Sequence, residues 1–68
     1  MTKGMHKVEY LDKDGDWIFY GWYKNLENAE INAETKSDCG LKTRIIRKGM
    51  IIRVYEPKEE NIIIRTTN

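Results

Sequence analysis

The chain has 68 residues with 12 basic and 11 acidic side chains, and the net charge of +1 excludes a strong overall electrostatic field of either sign. A chain of this length forms a single domain with a small core, because it hides only roughly 60% of the surface that its unfolded form exposes. Its one cysteine excludes an internal disulfide, and one cysteine with one histidine cannot complete a four-ligand zinc site within the chain.

The first predicted element is a β-hairpin in HKVEYLDKDGDWIFYGWY, residues 6–23, with its turn at Asp14-Gly15. A hairpin turn requires positive φ, which glycine adopts readily. The register stays open: a two-residue loop sets Tyr10 opposite Phe19, and a three-residue loop sets it opposite Ile18.

The turn itself, DKDGD, resembles the opening of a calcium-binding loop. An EF-hand needs a glutamate at its twelfth position and flanking helices. The twelfth residue counted from Asp12 is Tyr23, so the pattern favours a turn over a metal site.

The second predicted element is a helix from about Leu26 to Ser37, within NLENAEINAETKSDCGL. Asn25 is the candidate N-cap, and Gly40 stands where a left-handed residue ends a helix. The positions of Leu26, Ala29 and Ala33 form one apolar stripe that lets the helix lie close to a sheet.

The third predicted element is a second hairpin in KTRIIRKGMIIRVYEP, residues 42–57, with Lys48-Gly49 as its turn. A two-residue loop pairs Ile45 with Ile52 and Thr43 with Val54, on the side that meets the helix. The other side then carries five basic or apolar residues, namely Arg44, Ile46, Ile51, Arg53 and Tyr55. Pro57 ends the strand, and NIIIR, residues 61–65, is a candidate edge strand.

The order of elements predicts an α+β fold of class ββαββ, with one helix on one face of an antiparallel sheet of four strands, or five if NIIIR pairs. We expect residues 1–68 to form one domain with loose ends at 1–5 and 66–68. One helix covers only one face of such a sheet. The other face stays open.

The stretch GDWIFYGWY holds five of the seven aromatic side chains of the protein. Strict alternation puts Trp17, Phe19 and Tyr23 on one side of the strand, and Ile18, Tyr20 and Trp22 on the other. We therefore predict a partner-binding set on the open face: Tyr20, Trp22, Arg44, Arg53 and Tyr55. The alternative is that these rings pack under long lysine and arginine stems.

Charge is unevenly distributed along the chain. Residues 25–38 carry four acidic side chains and one lysine, whereas residues 41–55 carry five basic side chains and no acid. These segments predict an acidic face and a basic face. The helix residues Glu27, Glu30 and Glu34 form a secondary acidic surface, which is either solvated or suited to a basic partner.

No arrangement of residues indicates catalysis, a cofactor or a metal site, so we expect a protein that is not an enzyme. His6 is expected to be an exposed histidine at a strand edge. No window approaches the roughly 18 apolar residues that span a bilayer, so we expect a cytoplasmic protein with no membrane partner.

Two families share features with the chain. YGWYKNLENAEINAETKSDCGLKTRIIRKGMIIRVYEP, residues 20–57, resembles half of a SPOR peptidoglycan-binding repeat in its order of strand, helix, glycine and hairpin. With the preceding strand, the same order resembles small phage-encoded host-takeover proteins, including phage inhibitors of bacterial RNA polymerase. That resemblance implies a compact helix-on-sheet protein that acts by binding.

We therefore expect a non-enzymatic binding protein, encoded by a phage or mobile element, that inhibits a host macromolecule of the transcription or defence machinery in the host cytoplasm. The partner is expected to be a host protein or protein complex. The alternative is a nucleic-acid-binding module that uses the same basic and aromatic face. A third possibility is a homodimer through Ile62, Ile63 and Ile64, because an apolar edge strand invites pairing.

Overall fold

The computed structural model describes residues 5–58 and has the predicted order of elements. These are β1 (His6–Leu11), β2 (Trp17–Tyr23), α1 (Leu26–Asp38), β3 (Thr43–Arg47) and β4 (Met50–Tyr55). The strands form one antiparallel sheet in the order β2-β1-β3-β4, which confirms the α+β fold of class ββαββ. Within the described range, no helix is long and apolar enough to cross a membrane. The predicted contact through Ile62, Ile63 and Ile64 and the edge strand NIIIR lie outside the described residues.

The first hairpin turns through a three-residue loop. The Asp12 N–H donates to the Asp16 carbonyl at 2.9 Å. The Asp12 carboxylate accepts the N–H groups of Asp14 and Asp16, at 2.8 and 2.9 Å. These hydrogen bonds between the carboxylate and the backbone stabilise the turn. Of the two registers that the sequence leaves open, the structure has the one that pairs Tyr10 with Ile18.

A β-bulge interrupts β2 after Phe19. Glu9 pairs with Phe19 and Val8 pairs with Gly21, so Tyr20 is an extra residue between the two pairs. Because side chains alternate with a period of two, one extra residue moves every later side chain of the strand to the other side of the sheet.

The bulge divides the aromatic residues of β2 differently from strict alternation. Tyr20 and Tyr23 lie on the side of α1: a lysine of the helix stands over the Tyr20 ring, and Tyr23 packs against the core. Trp22 lies on the opposite side with Trp17 and Phe19, as the pairs with β1 require. The prediction that grouped Tyr20 with Trp22, and Tyr23 with the other two rings, is wrong.

Helix α1 packs on the sheet through its small residues. Ala29 and Ala33 are completely buried and Leu26 is partly buried, which confirms the predicted stripe. Asn25 occupies the N-cap position but its side chain makes no capping hydrogen bond. Alanine has no side chain beyond Cβ, so the helix backbone lies close to the strands.

The helix ends as the sequence predicts. Gly40 has a φ of +90°, and its N–H donates to the Ser37 carbonyl at 2.9 Å. The Leu41 N–H donates to the Lys36 carbonyl at 3.2 Å. The two bonds form a Schellman motif, which satisfies carbonyls that the last helical turn leaves unpaired.

The second hairpin turns at the two predicted residues, which both have positive φ. A second bulge then interrupts β4. Ile46 pairs with Ile51, whereas Ile45 pairs with Arg53, so Ile52 is the extra residue. From this point on, the register of β4 differs by one residue from that of a regular hairpin.

The bulge in β4 overturns the predicted pairs. Thr43 pairs with Tyr55 rather than with Val54, and Ile45 does not pair with Ile52. Tyr55 consequently lies on the side of α1, where it packs against the core. Val54 takes the place predicted for Tyr55 on the opposite side, because neighbouring residues of a strand point in opposite directions.

The core lies between α1 and the two central strands. Its fully buried apolar residues are Val8, Ala29, Ala33 and Ile45. Two buried hydroxyl groups donate to backbone carbonyls: Ser37 Oγ to that of Glu56 at 2.6 Å and Thr43 Oγ1 to that of Leu41 at 3.0 Å. This small core lies on one face of the sheet only.

His6 is buried, so the prediction of an exposed edge histidine is wrong. Its Nδ1 lies 3.1 Å from the carbonyl oxygen of Tyr23. A carbonyl can only accept a hydrogen bond, so Nδ1 carries the proton. The side chain thereby joins the ends of β1 and β2.

After β4 the chain follows the C-terminal end of the helix. The Lys58 N–H donates to the Ser37 carbonyl at 3.1 Å, and Lys58 Nζ lies 2.9 Å from an Asp38 carboxylate oxygen. Up to residue 58, the chain therefore leaves the sheet on the side of α1 and does not cross the opposite face.

Candidate functional site: the open face of the sheet

The side of the sheet that faces away from α1 is called the open face. Directly paired residues of neighbouring strands project on the same side, so the pairings assign its members. They are Lys7, Glu9 and Leu11 of β1, Trp17, Phe19 and Trp22 of β2, Arg44 and Ile46 of β3, and Ile51 and Val54 of β4. Among residues 5–58, no second helix or sheet covers this face.

Two apolar walls border the open face. The aromatic wall consists of Trp17, Phe19 and Trp22 on β2, with the Phe19 and Trp22 ring centroids 6.1 Å apart. The aliphatic wall consists of Ile51 and Val54 on β4. Phe19, Trp22 and both aliphatic residues are exposed, although they are large and apolar. The walls lie at opposite edges because β2 and β4 are the edge strands.

A charged strip separates the walls on the two central strands. It consists of Lys7, Glu9 and Arg44. Arg44 donates from Nε to Glu9 Oε1 at 2.8 Å and places Nη2 2.7 Å from the same oxygen, while Lys7 Nζ lies 3.3 Å from Glu9 Oε2. Two cations share one carboxylate, so the strip carries a net charge of +1.

Glu9 is ionised in this arrangement. Burial raises the pKa of its carboxyl, but hydrogen bonds from Arg44 and Lys7 and their positive charges outweigh burial and hold the pKa below its ordinary value. The strip is therefore a fixed group of three charges at neutral pH.

The cations of the strip also contact the aromatic wall. The Arg44 guanidinium carbon lies 3.8 Å from the centroid of the Trp17 ring, and Lys7 Nζ lies 5.7 Å from that of Trp22. Such cation–π contacts contribute about 0.5–1 kcal/mol each where water reaches them. Ion pairs and ring contacts together order the strip and the wall before any partner arrives.

Of the five predicted partner-binding residues, Trp22 and Arg44 lie on the open face. The prediction is wrong in placing Tyr20, Arg53 and Tyr55 there. Arg53 and Tyr55 lie beyond the extra residue of β4, which moves them to the helix side. Tyr20 is itself the extra residue of β2 and follows the alternation of the residues before it, so that bulge moves Trp22 and not Tyr20.

Tyr20 belongs to a cluster on the helix side. Its ring meets that of Tyr10 edge to face, with centroids 6.3 Å apart. Lys36 Nζ lies 4.7 Å from the Tyr20 centroid and 4.9 Å from that of Tyr10. The helix lysine is held by two rings, which leaves Tyr20 in a structural role.

Arg53 and Tyr55 also face the helix. Arg53 Nε donates to Glu30 Oε2 at 3.1 Å. Burial of Tyr55, together with the nearby charges of Glu30 and Glu34, raises the pKa of the Tyr55 hydroxyl despite the opposing charge of Arg53. This hydroxyl stays protonated at neutral pH.

The predicted acidic and basic segments meet in the folded chain through one ion pair. Glu27 and Glu34 are exposed, but Glu30 is paired with Arg53 of the basic segment. Arg44 lies on the other side of the sheet, paired with Glu9. The opposite charges of the two segments partly neutralise each other in the folded chain.

The prediction from strict alternation along β2 placed Trp17 and Phe19 on the side opposite to Trp22, and so did not include them in the open face. The signal that was available is Gly21, because a glycine inside a strand often marks a bulge. A Cβ at this position would lie 2.8 Å from the Tyr23 hydroxyl oxygen, since the Tyr23 ring crosses the glycine. β4 contains no such signal.

The site offers apolar contact and charge rather than metal chemistry. Over residues 5–58, no group of three or more His, Cys, Asp and Glu side chains could hold a metal ion. The arrangement has apolar flanks and a polar centre, the reverse of the apolar centre and polar rim of most interfaces.

Comparison of the chain with models of protein families, with curated proteins and with solved structures finds no match. The resemblances to SPOR repeats and to host-takeover proteins therefore stay predictions from the order of elements.

Proposed function

We propose that this chain is a small, non-enzymatic binding protein that recognises another protein through the open face of its sheet. The observation that carries this proposal is the exposure of Phe19, Trp22, Ile51 and Val54 on one side of a four-stranded sheet. Exposed apolar patches on a small protein mark interaction sites. This face carries two of them, one on each side of the charged strip. Tryptophan is among the residues that dominate binding energy at interfaces.

The face, rather than an edge, is the proposed contact. Both edge strands, β2 and β4, carry a bulge. A bulge disrupts the row of backbone donors and acceptors that an added strand would need, and it is a common protection against edge pairing. The bulges thus protect the two edges of the sheet and do not cover its open face.

A protein partner suits the charges better than a nucleic acid does. Nucleic-acid affinity comes chiefly from cations that neutralise phosphates. On the open face, Lys7 and Arg44 already share the carboxylate of Glu9. The remaining net charge of +1 can neutralise a single anion, whereas a nucleic acid brings one phosphate with every nucleotide. That the partner belongs to a host and is inhibited by the binding stays a prediction from the sequence.

Selection from a displayed library of helical and extended peptides tests the proposal with the full chain. The variants are Phe19→Ser on the open face and Ile31→Ser on α1. The two side chains are matched, at 53% and 55% exposed, but Ile31 lies away from the open face. Peptides selected on the wild-type protein should lose at least fivefold in affinity on Phe19→Ser, because truncating an aromatic side chain that carries binding energy costs more than 1 kcal/mol.

The same peptides should bind Ile31→Ser as they bind the wild-type protein. Circular dichroism melting of each variant checks that the fold is retained. A library that yields no binder, or only peptides that bind both variants equally, would contradict the proposal. Binding of a single-stranded oligonucleotide that depends on Phe19 and weakens steeply with salt would favour the nucleic-acid alternative instead.

A further inference from the structure

We propose that the partner of the open face is an amphipathic helix that places one carboxylate over the charged strip and apolar side chains against the two walls. This inference rests on the proposed binding function and specifies the chemistry of the bound segment. Two features of the open face support it: the spacing of the walls and the uncompensated charge between them.

The spacing of the walls fits a helix. The sheet order places β1 and β3 between the two walls. Neighbouring strands lie about 4.8 Å apart, so the backbones of β2 and β4 are roughly 14 Å apart. A helix with its side chains is about 10–12 Å across. One helix lying along the central strands would therefore contact both walls.

The length of the face sets the length of that helix. Strands of five to seven residues form the face. At about 3.3 Å per residue they span roughly 17–23 Å. A helix rises about 1.5 Å per residue, so some 11–15 residues cover the face.

The charge of the strip determines what must lie at the centre of the helix. A helix that covers Lys7, Glu9 and Arg44 excludes water from a group with a net charge of +1. A charge that loses water without gaining an opposite charge is costly. Both Glu9 oxygens already face these cations. A carboxylate from the partner would bring the covered group to neutrality, whereas a wholly apolar or basic helix would not.

The expected sequence pattern follows from helix geometry. The aspartate or glutamate should have apolar residues three or four positions before and after it, because these positions share one helix face. Peptides selected on the wild-type protein should contain this pattern, and aromatic or branched aliphatic residues should occupy its apolar positions.

A double-mutant cycle tests the role of the carboxylate. The change in the protein is Lys7→Met, which removes a charge of the strip and keeps an apolar stem of similar length. The change in the selected peptide replaces its acidic residue by the amide. On the wild-type protein the acid form should bind about tenfold more tightly than the amide form, as close charge pairs at interfaces do. On Lys7→Met this preference should fall severalfold.

Lys13→Met is the matched control, because Lys13 is an exposed cation in the first turn. It should leave the tenfold preference unchanged. Selected peptides that depend on Phe19 but are neutral or basic would overturn the helix chemistry proposed here and leave the binding function standing. Peptides that bind Phe19→Ser unchanged would overturn both. A dimer of the protein that Phe19→Ser dissociates would make a second copy the occupant and overturn the inference.

Discussion

Glu9 is the residue on which the order of the open face depends most. Its carboxylate joins Arg44 of β3 to Lys7 of its own strand, and the guanidinium is in turn stacked on Trp17. Charge-assisted hydrogen bonds of this kind are stronger than neutral ones. One carboxylate thus orders two cations and, through them, part of the aromatic wall.

Replacing Glu9 by Gln should lower the free energy of unfolding by about 1–2 kcal/mol at pH 7, because two charge-assisted contacts are weakened. The folded-state pKa of Glu9 is depressed below its ordinary value of 4.5. A depressed pKa means that the stabilisation is present above the ordinary pKa and is lost as pH falls through the folded-state value.

Urea unfolding of the wild-type protein and Glu9→Gln at pH 7 and pH 3 measures this difference. The difference in unfolding free energy between the wild-type protein and Glu9→Gln should be smaller at pH 3 than at pH 7. Glu34→Gln, at an exposed position past the first turn of α1, is the control and should show almost no difference from the wild-type protein at either pH. A difference for Glu9→Gln that is independent of pH would contradict the ion-paired state.

Gly21 lies directly beneath the ring of Tyr23. An added Cβ would lie 2.8 Å from the Tyr23 Oη and 3.1 Å from two ring carbons. Because Tyr23 packs against the core, Gly21→Ala should cost about 1–3 kcal/mol of unfolding free energy, the usual range for overpacking. Chemical denaturation measures it.

A second substitution distinguishes this contact from an effect of strand propensity. Tyr23→Phe removes the nearest atom, so the double variant Gly21→Ala, Tyr23→Phe should recover part of the loss relative to Tyr23→Phe alone. Equal costs in the two backgrounds would show that the hydroxyl contact does not limit this position.

At the scale of elements, the bulge in β4 decides which of its side chains a partner can reach. Arg53 lies on the helix side and pairs with Glu30 across an exposed surface. Exposed ion pairs contribute at most about 1 kcal/mol. Arg53→Ala should therefore change the unfolding free energy by less than about 1 kcal/mol, which thermal melting would measure.

Arg53→Ala also distinguishes the side-chain placement in the structure from the placement predicted from the sequence. Arg53→Ala should bind the peptides selected on the open face as the wild-type protein does, whereas Val54→Ser should weaken them. The sequence-based placement gives the opposite result. A titration by fluorescence anisotropy with one labelled peptide compares the three proteins. Weakening by Arg53→Ala alone would refute the placement described here.

At the scale of the whole molecule, the open face is small for self-association. Measured flat between the backbones of the outer strands, it covers roughly 14 by 20 Å, a projected area of about 300 Å². Stable interfaces bury about 800 Å² on each partner. The face therefore suits a weak or transient partner, and the protein should be a monomer at micromolar concentration.

Light scattering over a range of concentrations measures the mass of the full chain. A constant monomer mass is expected for the wild-type protein and for Phe19→Ser. A dimer that persists in Phe19→Ser but dissociates in Ile63→Lys would instead support the predicted contact through Ile62, Ile63 and Ile64.

The sequence by itself determined the elements of this protein and their order. Turns at Gly15 and Gly49 and the helix end at Gly40 were predicted because each depends on the conformation of a few neighbouring residues. The buried pair Ala29 and Ala33 followed from spacing along one helix. One helix on a four-stranded sheet also predicted that one face would stay open.

Only the tertiary structure decided which side chains occupy that face. Trp22 and Arg44 were placed correctly, Trp22 because the bulge in β2 moves it to the open face. Arg53 and Tyr55 changed sides at the bulge in β4, and Tyr20 faces the helix with Ile18, before the alternation changes. Gly21 could have indicated the first bulge, but no residue of β4 indicates the second. A bulge forms where pairing with the neighbouring strand and packing against the core jointly favour an extra residue, and both are long-range contacts. Since each slip of one residue exchanges the two faces, a local pattern could predict the strands without predicting the binding surface.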